Sequence, residues 1–342
     1  TSMGIRTSGD MSLARVLLIN PPWYRLLGSN FESIPLGLCY LGAVLENDGH
    51  HTAVYNADYG ASEIASPFVS RLTRKYVSYK QILLDPSNRI WNEIRQVLQY
   101  NQPDIVGISA MTPKYIAAVN TAKIVKEYDP SIPVVLGGPH PTALPEDTIN
   151  NEYIDFVVRG EGEHTLRELV SRLEGRKGLD NVLGLTYKKS GKIQSNPNRP
   201  LIDNLDELPF PARHTVLHYK GARFRSASAY GSLITSRGCP YDCIYCASKI
   251  LWSARTRFRS AQNVLSEITE VYEDYNCRDF DFEDDTFTLN RKLVKTLCDL
   301  IIQHRLDISW TCSTRVDLIT GELLQNMKKA GCTRVQLGIE SG

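Results

Sequence analysis

The chain has 342 residues, of which 42% are hydrophobic and 23% charged, with a formal net charge of +1. At about 150 residues per domain, that length predicts two domains with sizeable cores; the near-zero charge gives no general affinity for nucleic acid or an anionic membrane surface. No apolar run approaches the ~18 residues needed to span a bilayer, and residues 1–14 lack the apolar stretch of a secretory signal, so a soluble, cytoplasmic protein with a flexible leader is expected.

The first half alternates short apolar runs with longer amphipathic ones. Strands are predicted at 15–20, 52–56, 104–109, 133–137 and 155–159. Helices are predicted over 35–48, ending at Gly49, over 115–127 and over 163–173. Near-continuous apolar strands separated by helices indicate a parallel sheet covered on both faces. Residues 15–180 therefore read as a doubly wound α/β domain of Rossmann or flavodoxin type, with residues 60–90 as an insertion. Such a sheet binds its ligand outside the C-terminal strand ends. The loops there are 20–28, 109–114, 137–142 and 160–164. Gly137-Gly138 and Gly160-Glu161-Gly162 let a backbone approach a ligand closely, although simple turn chemistry explains each loop taken alone.

Residues 181–195 predict a β-hairpin that turns at Ser190-Gly191. Four prolines between Pro197 and Pro211 mark an extended linker, so 181–230 joins two domains. A second strand–helix alternation follows, with strands at 232–236, 279–283, 308–312 and 333–338 and helices at 261–275, 290–304 and 321–330. This is the first part of a TIM-like barrel over 231–342. A complete barrel needs more strands, so a fragment of a longer protein is expected.

Three of the eight cysteines fall within eight positions, as Cys239-Pro-Tyr-Asp-Cys243-Ile-Tyr-Cys246. This is a metal-site spacing rather than a disulfide framework. The other five read as buried cysteines that pack as small hydrophobes. Three thiolates on one loop can hold three irons of a [4Fe–4S] cube and leave the fourth iron open to a ligand. A structural zinc ion is the alternative. Zinc needs a fourth tetrahedral ligand, and only His214 and His218 lie nearby, before the strand.

From this motif onward the sequence resembles the radical S-adenosylmethionine (SAM) superfamily, over residues 232–342. The resemblance implies that Cys239, Cys243 and Cys246 hold a [4Fe–4S] cluster that reductively cleaves SAM to a 5′-deoxyadenosyl radical. It implies a SAM site built from Tyr245, the acidic turn Glu283-Asp284-Asp285, Arg315 as partner of the carboxylate, and Glu340 with Ser341 near the ribose. A solvated acidic turn and an exposed surface arginine are the plainer readings of those segments.

Taken with the first half, the chain resembles the cobalamin-binding class of radical SAM enzymes. Gly137-Gly138 matches one motif of the cobalamin domain and Ser109-Ala-Met111 nearly matches another. The D-x-H-x-x-G motif is absent: the first strand ends in Asn20-Pro-Pro22-Trp23, and no histidine occurs before His50. The resemblance implies cobalamin bound base-off and without a histidine ligand. Its contacts would come from Pro22, Trp23, Ser109, Met111, Thr112, Gly137, Gly138, Pro139, His140, Gly162 and Glu163. The activity implied is methyl transfer to an unactivated carbon of a small-molecule or natural-product substrate, with electrons from a flavodoxin or ferredoxin. A ring cyclase or skeletal-rearrangement enzyme using the same cofactors is the alternative. A non-catalytic cobalamin or iron–sulfur carrier is a third reading. A methylthiotransferase would need three further cysteines in the first domain, which holds only Cys39. No particular catalytic side chain is assigned.

Overall fold

In the computed structural model, which describes residues 13–60, 76–218 and 223–339, the first element is β1, Arg15–Asn20. Its burial is continuous after the first residue, as expected of a strand covered on both faces. Helix α1 (Leu36–Asn47) follows, then β2 (His51–Asn56), α2 (Tyr76–Leu84), α3 (Arg89–Asn101), β3 (Ile105–Ser109) and α4 (Tyr115–Tyr128). Next come β4 (Val134–Gly137), the short helices α5 (Pro139–Ala143) and α6 (Pro145–Asn150), β5 (Phe156–Val158) and α7 (Gly162–Glu174). The strands from β1 to β5 pair in parallel in the order β2-β1-β3-β4-β5. One core, including Trp91, Ile94 and Val125, covers one face, and another, including Leu38, Val44 and Leu169, covers the other. All five strands expected from the sequence are present.

Several expectations need revision. Residues 61–75 of the segment read as an insertion lie outside the described residues, and 76–84 form α2. The following helix α3 was not expected. Asn88 accepts a hydrogen bond from Ile90 N–H at its start, and Ile90, Trp91, Ile94, Val97 and Leu98 make its buried stripe. The hairpin is not part of a linker. Its strands β6 (Leu185–Lys189) and β7 (Lys192–Ser195) extend the first sheet, β6 antiparallel to β5. The proline-rich segment is extended but packed, because Ile202, Leu205 and Leu208 bury themselves in the first domain's core. Ala14, placed in the leader by the sequence, is buried and donates its N–H to Glu174.

The second sheet holds β8 (Ser232–Leu233), β11 (Asp279–Phe282), β12 (Ser309–Arg315) and β13 (Cys332–Gly338), all parallel, in the order β8-β11-β12-β13. Its helices are α9 (Ala261–Asp274), α10 (Arg291–Gln303) and α11 (Gly321–Lys329). This is the strand–helix order of an open, partial barrel. Phe282, Phe287 and Trp310 pack face and edge at its centre, with ring centroids 4.7–5.4 Å apart. The strand expected over 232–236 is broken: Ser236–Arg237 (β9) leaves the sheet and pairs antiparallel with Arg257–Phe258 (β10). Of the cysteines outside the motif, Cys39, Cys277, Cys298 and Cys312 are buried, whereas Cys332 is only partly covered because β13 is the edge of the described sheet.

The linker joins the domains through a buried ion cluster. Arg213 Nη2 donates to Glu267 on α9 at 2.6 Å and to the carbonyl of Ser232 at 2.9 Å. Arg259 pairs with the other oxygen of the same carboxylate and lies 3.4 Å from the Tyr40 hydroxyl of α1. Glu267→Ala leaves two arginines buried without a carboxylate, which costs about 3–5 kcal/mol. Urea denaturation is expected to show that loss; a change below ~1 kcal/mol contradicts the assignment of this cluster as the domain joint.

Candidate functional site

The cysteine loop hangs between β9 and a short helix, α8 (Ser248–Trp252). It starts at Gly238, whose φ of +95° suits glycine and whose Cβ would stand 2.2 Å from the carbonyl oxygen of Arg255. The Cys246 N–H donates to the Cys243 carbonyl at 3.0 Å, so these two cysteines share a tight turn. Cys239 Sγ lies 3.5 Å from Thr286 Oγ1. Cys239 and Cys243 are half-buried and Cys246 is exposed, and none is in a disulfide.

Among the described residues, no three His, Cys, Asp or Glu side chains converge as they would around a single ion. A tetrahedral zinc site needs all its sulfurs about 2.3 Å from one point. A cube needs them at three separate corners. Three thiols on one loop are the donor set that three corners of a cube use, as the C-x3-C-x2-C spacing implies.

The acidic turn after β11 supports this loop. Asp284 is fully buried and accepts from the Thr235 N–H (3.0 Å), the Thr235 hydroxyl (2.7 Å) and the Ser236 hydroxyl. These bonds pin the break between β8 and β9. Burial raises its carboxyl above the usual range, against the hydrogen bonds of Ser236 and Thr235. The SAM contact expected of Asp284 is therefore corrected: its carboxylate is spent inside the protein. Asp285 accepts from Ser248 Oγ of α8 at 2.6 Å. Glu283 is accessible and faces a cavity, where desolvation holds its carboxyl above its ordinary value. Arg315 stacks 3.9 Å over the ring of Tyr241 in the cysteine loop and forms a bidentate pair with Asp317 at 3.0 Å. Tyr245 is exposed. Glu340 and Ser341 lie outside the described residues.

That cavity, of about 310 Å³, runs between the two domains. Its first-domain walls come from α1, from the strand ends Ser109 and Gly137, from Gly138, and from the turn 160–163 entering α7. Ser109 and Gly137 are register partners on β3 and β4. Gly138 has φ +97°, and a Cβ there would meet Ser109 Oγ at 3.0 Å and the backbone of Ala110 at 3.1 Å. At Gly162 it would meet Leu41 at 3.1 Å. This is a slot between sheet and helix that side chains would fill, with Leu18, Leu36, Leu38 and Val135 as its apolar lining. Its second-domain wall holds Ser236, Arg237, Gly238, Trp252, Glu283 and Asp285. Glu163 pairs with Arg237 across the cavity wall at 2.6 Å. Burial pushes the Glu163 carboxyl up, and the Arg237 charge and hydrogen bond more than offset it.

Of the expected cobalamin contacts, Ser109, Gly137, Gly138, Gly162 and Glu163 line this slot; Pro22, Trp23, Met111, Thr112, Pro139 and His140 do not. Trp23 packs edge-on against Tyr79 at 5.3 Å. Met111 is half exposed at the end of β3. His140 is buried, stacked 4.0 Å from the Tyr115 ring and 3.2 Å from Thr112 Oγ1; burial lowers its pKa.

Sequence reasoning missed three features. The first is Gly107, a glycine inside a strand, which signals close approach; its Cβ would stand 2.7 Å from Leu18. The second is the pairing of Glu161 with Arg237 and Arg257, charges with no local pattern. The third is the buried ammonium of Lys114, held by Asn20 Oδ1 at 2.9 Å and Asp58 Oδ2 at 3.0 Å. It occupies Asn20 at the end of β1, where the histidine motif is absent.

Two family models match the chain: B12 binding domain over residues 26–170 and Radical SAM superfamily over residues 233–342. An uncharacterized methyltransferase of Pyrococcus horikoshii is 35% identical over 338 residues, covering 97% of this chain and 66% of the relative. The anaerobic magnesium-protoporphyrin IX monomethyl ester cyclase of Synechocystis is 27% identical over 336 residues, covering 96% of this chain and 61% of the cyclase. The chain thus spans about two thirds or less of these relatives' length. The radical SAM methyltransferase TsrM of Kitasatospora setae, solved with tryptophan and a SAM analogue, shares the fold with a TM-score of 0.69 at 18% identity, over 95% of this chain and 59% of TsrM. Among the described residues, no helix is long and apolar enough to cross a membrane.

Asp284→Ala removes the acceptor of the Thr235 and Ser236 donors. Leaving such donors buried and unmet costs about 1–3 kcal/mol. The variant is expected to lose iron after reconstitution while its far-UV circular dichroism is kept. Full iron retention contradicts the supporting role given to this carboxylate.

Proposed function

The chain belongs to the radical SAM superfamily, in the branch with an N-terminal B12-binding domain, and on that premise we propose that it is a cobalamin-dependent methyltransferase acting on an unactivated carbon of a small-molecule substrate. One observation carries the reading: the glycine-lined slot of the first domain and Gly238, from which the cysteine loop of the second departs, border a single cavity. A transfer between two cofactors needs their sites next to one another.

When bound, a [4Fe–4S] cluster and cobalamin supply reductive cleavage of SAM and carriage of a methyl group. The chain's own part is to bind, orient and exclude water. Cys239, Cys243 and Cys246 are proposed as the cluster ligands. Glu283, with Asp285 beside it, is the proposed acceptor for the SAM ammonium. A carboxyl held above its ordinary value by desolvation gains from a cationic partner, because the pair offsets that cost. Arg315 and Tyr245 are proposed further SAM contacts, as are Glu340 and Ser341. The slot lined by Ser109, Gly137, Gly138 and Gly162 is proposed to take the nucleotide tail of base-off cobalamin. Its apolar walls keep water from that end of the cavity. With His140 stacked on Tyr115 and bonded to Thr112, the cobalt would lack a histidine ligand from this domain. Electrons would come from a flavodoxin or ferredoxin, in the cytoplasm.

A second reading, ring cyclisation with the same cofactors, is favoured by the likeness to the Synechocystis cyclase. Turnover with labelled SAM separates the two: methyl label in the product supports transfer, and deoxyadenosine release without it supports cyclisation.

Two measurements test the cofactor assignments. After anaerobic reconstitution the chain is expected to hold about four irons and to cleave SAM when reduced. Cys243→Ala is expected to lose both, and retention of both contradicts the assignment. Gly138→Val places a branched side chain where a Cβ alone is already tight. It is expected to lower cobalamin retention at least ~10-fold, in line with the cost of overpacking, with iron content unchanged. Undiminished retention in that variant refutes the slot as the nucleotide site.

A further inference from the structure

Four charged side chains are buried together where the domains meet: Glu161 and Glu163 from the turn into α7, Arg237 from β9 and Arg257 from β10. Arg237 gives its two Nη groups to different carboxylates, at 2.9 Å to Glu161 and 2.6 Å to Glu163. Arg257 Nη1 donates to the second oxygen of Glu161 at 2.7 Å and to the Ile202 carbonyl at 2.7 Å. That Glu161 oxygen also accepts the Ile202 N–H at 2.7 Å. Two carboxylates and two guanidiniums thus balance in charge, while Arg257 Nε and Nη2 are buried without a hydrogen-bond partner.

The places of these residues matter more than their charge. Arg237 and Arg257 face each other across the β9–β10 ladder, the stem from which the cysteine loop departs at Gly238. Glu161 and Glu163 flank Gly162, and all three line the slot. The same four charges therefore brace the wall of one site and the stem of the other. A buried cluster of this kind tolerates few arrangements, since a misplaced partner leaves a buried charge uncompensated. Whatever fixes the turn 160–163 also restricts the stem, and the reverse holds.

We propose that Arg237 and Arg257 are positioning residues that couple the two cofactor sites, so that filling the slot favours assembly of the iron–sulfur loop and the assembled loop favours filling the slot. This rests on the reading of the slot as a cobalamin site and of the loop as a cluster site. Linkage requires the coupling to be reciprocal, with the same factor in both directions. Each is proposed to act through the backbone it holds.

The test measures the Kd of hydroxocobalamin for the 342-residue chain before and after anaerobic reconstitution of the cluster. The reconstituted chain is expected to bind about tenfold tighter, within the range usual for coupled sites. Arg237→Lys keeps the charge but replaces a fork that reaches two carboxylates with a single ammonium. Its ratio is expected to fall to about one, with both forms still binding. If that variant does not fold, by far-UV circular dichroism, Glu163→Gln takes its place: it removes one anchor and leaves Glu161 bridging both arginines, and its ratio is expected to drop as well. A ratio preserved in the variant overturns the proposal. So does a ratio of one in the unsubstituted chain while hydroxocobalamin binds. Absence of binding in every form overturns the cobalamin reading itself, and this proposal with it.

Discussion

A carboxylate taken out of water must find donors, and the segment around the cysteine loop is organised by four that have done so. Glu267 gathers Arg213 and Arg259. Glu161 and Glu163 gather Arg237 and Arg257. Asp284 gathers the backbone and hydroxyl of Thr235 and the hydroxyl of Ser236. Every one of these donors lies on the linker, on β9 or β10 or beside them. Hydrophobic packing builds each domain's core. It is the buried charge that fixes where the cysteine loop sits relative to the first domain, because apolar contact is non-directional and a forked ion pair is not.

This division explains what the sequence disclosed. Apolar periodicity is local, so the five parallel strands of the first domain and the strand–helix order of the second were legible residue by residue. So was the C-x3-C-x2-C spacing, since its chemistry lies within eight positions. What stayed hidden depends on distant pairs. Asp284 read as one of three acidic residues on a solvated or ligand-facing turn, yet it turns inward to Thr235, 49 positions away. Arg237 and Arg257 carry no local signal, because their partners at 161 and 163 lie in another domain. Helix α3 was legible in principle through its cap Asn88 and the stripe from Ile90 to Leu98, but the unpatterned segment before it obscured the start. The hairpin at 185–195 was recognised as a hairpin; that it extends the first sheet depends on β5 offering a free edge, which no local pattern encodes.

The slot follows a similar logic of absence. Gly107, Gly137, Gly138 and Gly162 contribute to it chiefly by having no Cβ, and at three of them an added one would stand 2.7–3.1 Å from a neighbour. Glycine in a strand or at its end lowers local stability, and four placed around one cavity are hard to explain by turn geometry alone. The expected contacts beyond the strand ends fell away for the same reason that the histidine motif did. Lys114 closes over Asn20 and Asp58, and His140 stacks on Tyr115, so those side chains complete the protein's own interior rather than facing the slot.

The central claim is that one cavity at the domain interface serves both cofactor sites. Its most direct test is electron paramagnetic resonance of the reconstituted chain carrying cob(II)alamin, recorded with the cluster oxidised and then reduced. Two paramagnets that share a cavity wall interact through space. The account predicts that the cob(II)alamin lines broaden or split when the cluster is reduced, and that the oxidised form shows no nitrogen splitting from a histidine ligand. Cob(II)alamin lines unchanged by cluster reduction would contradict it.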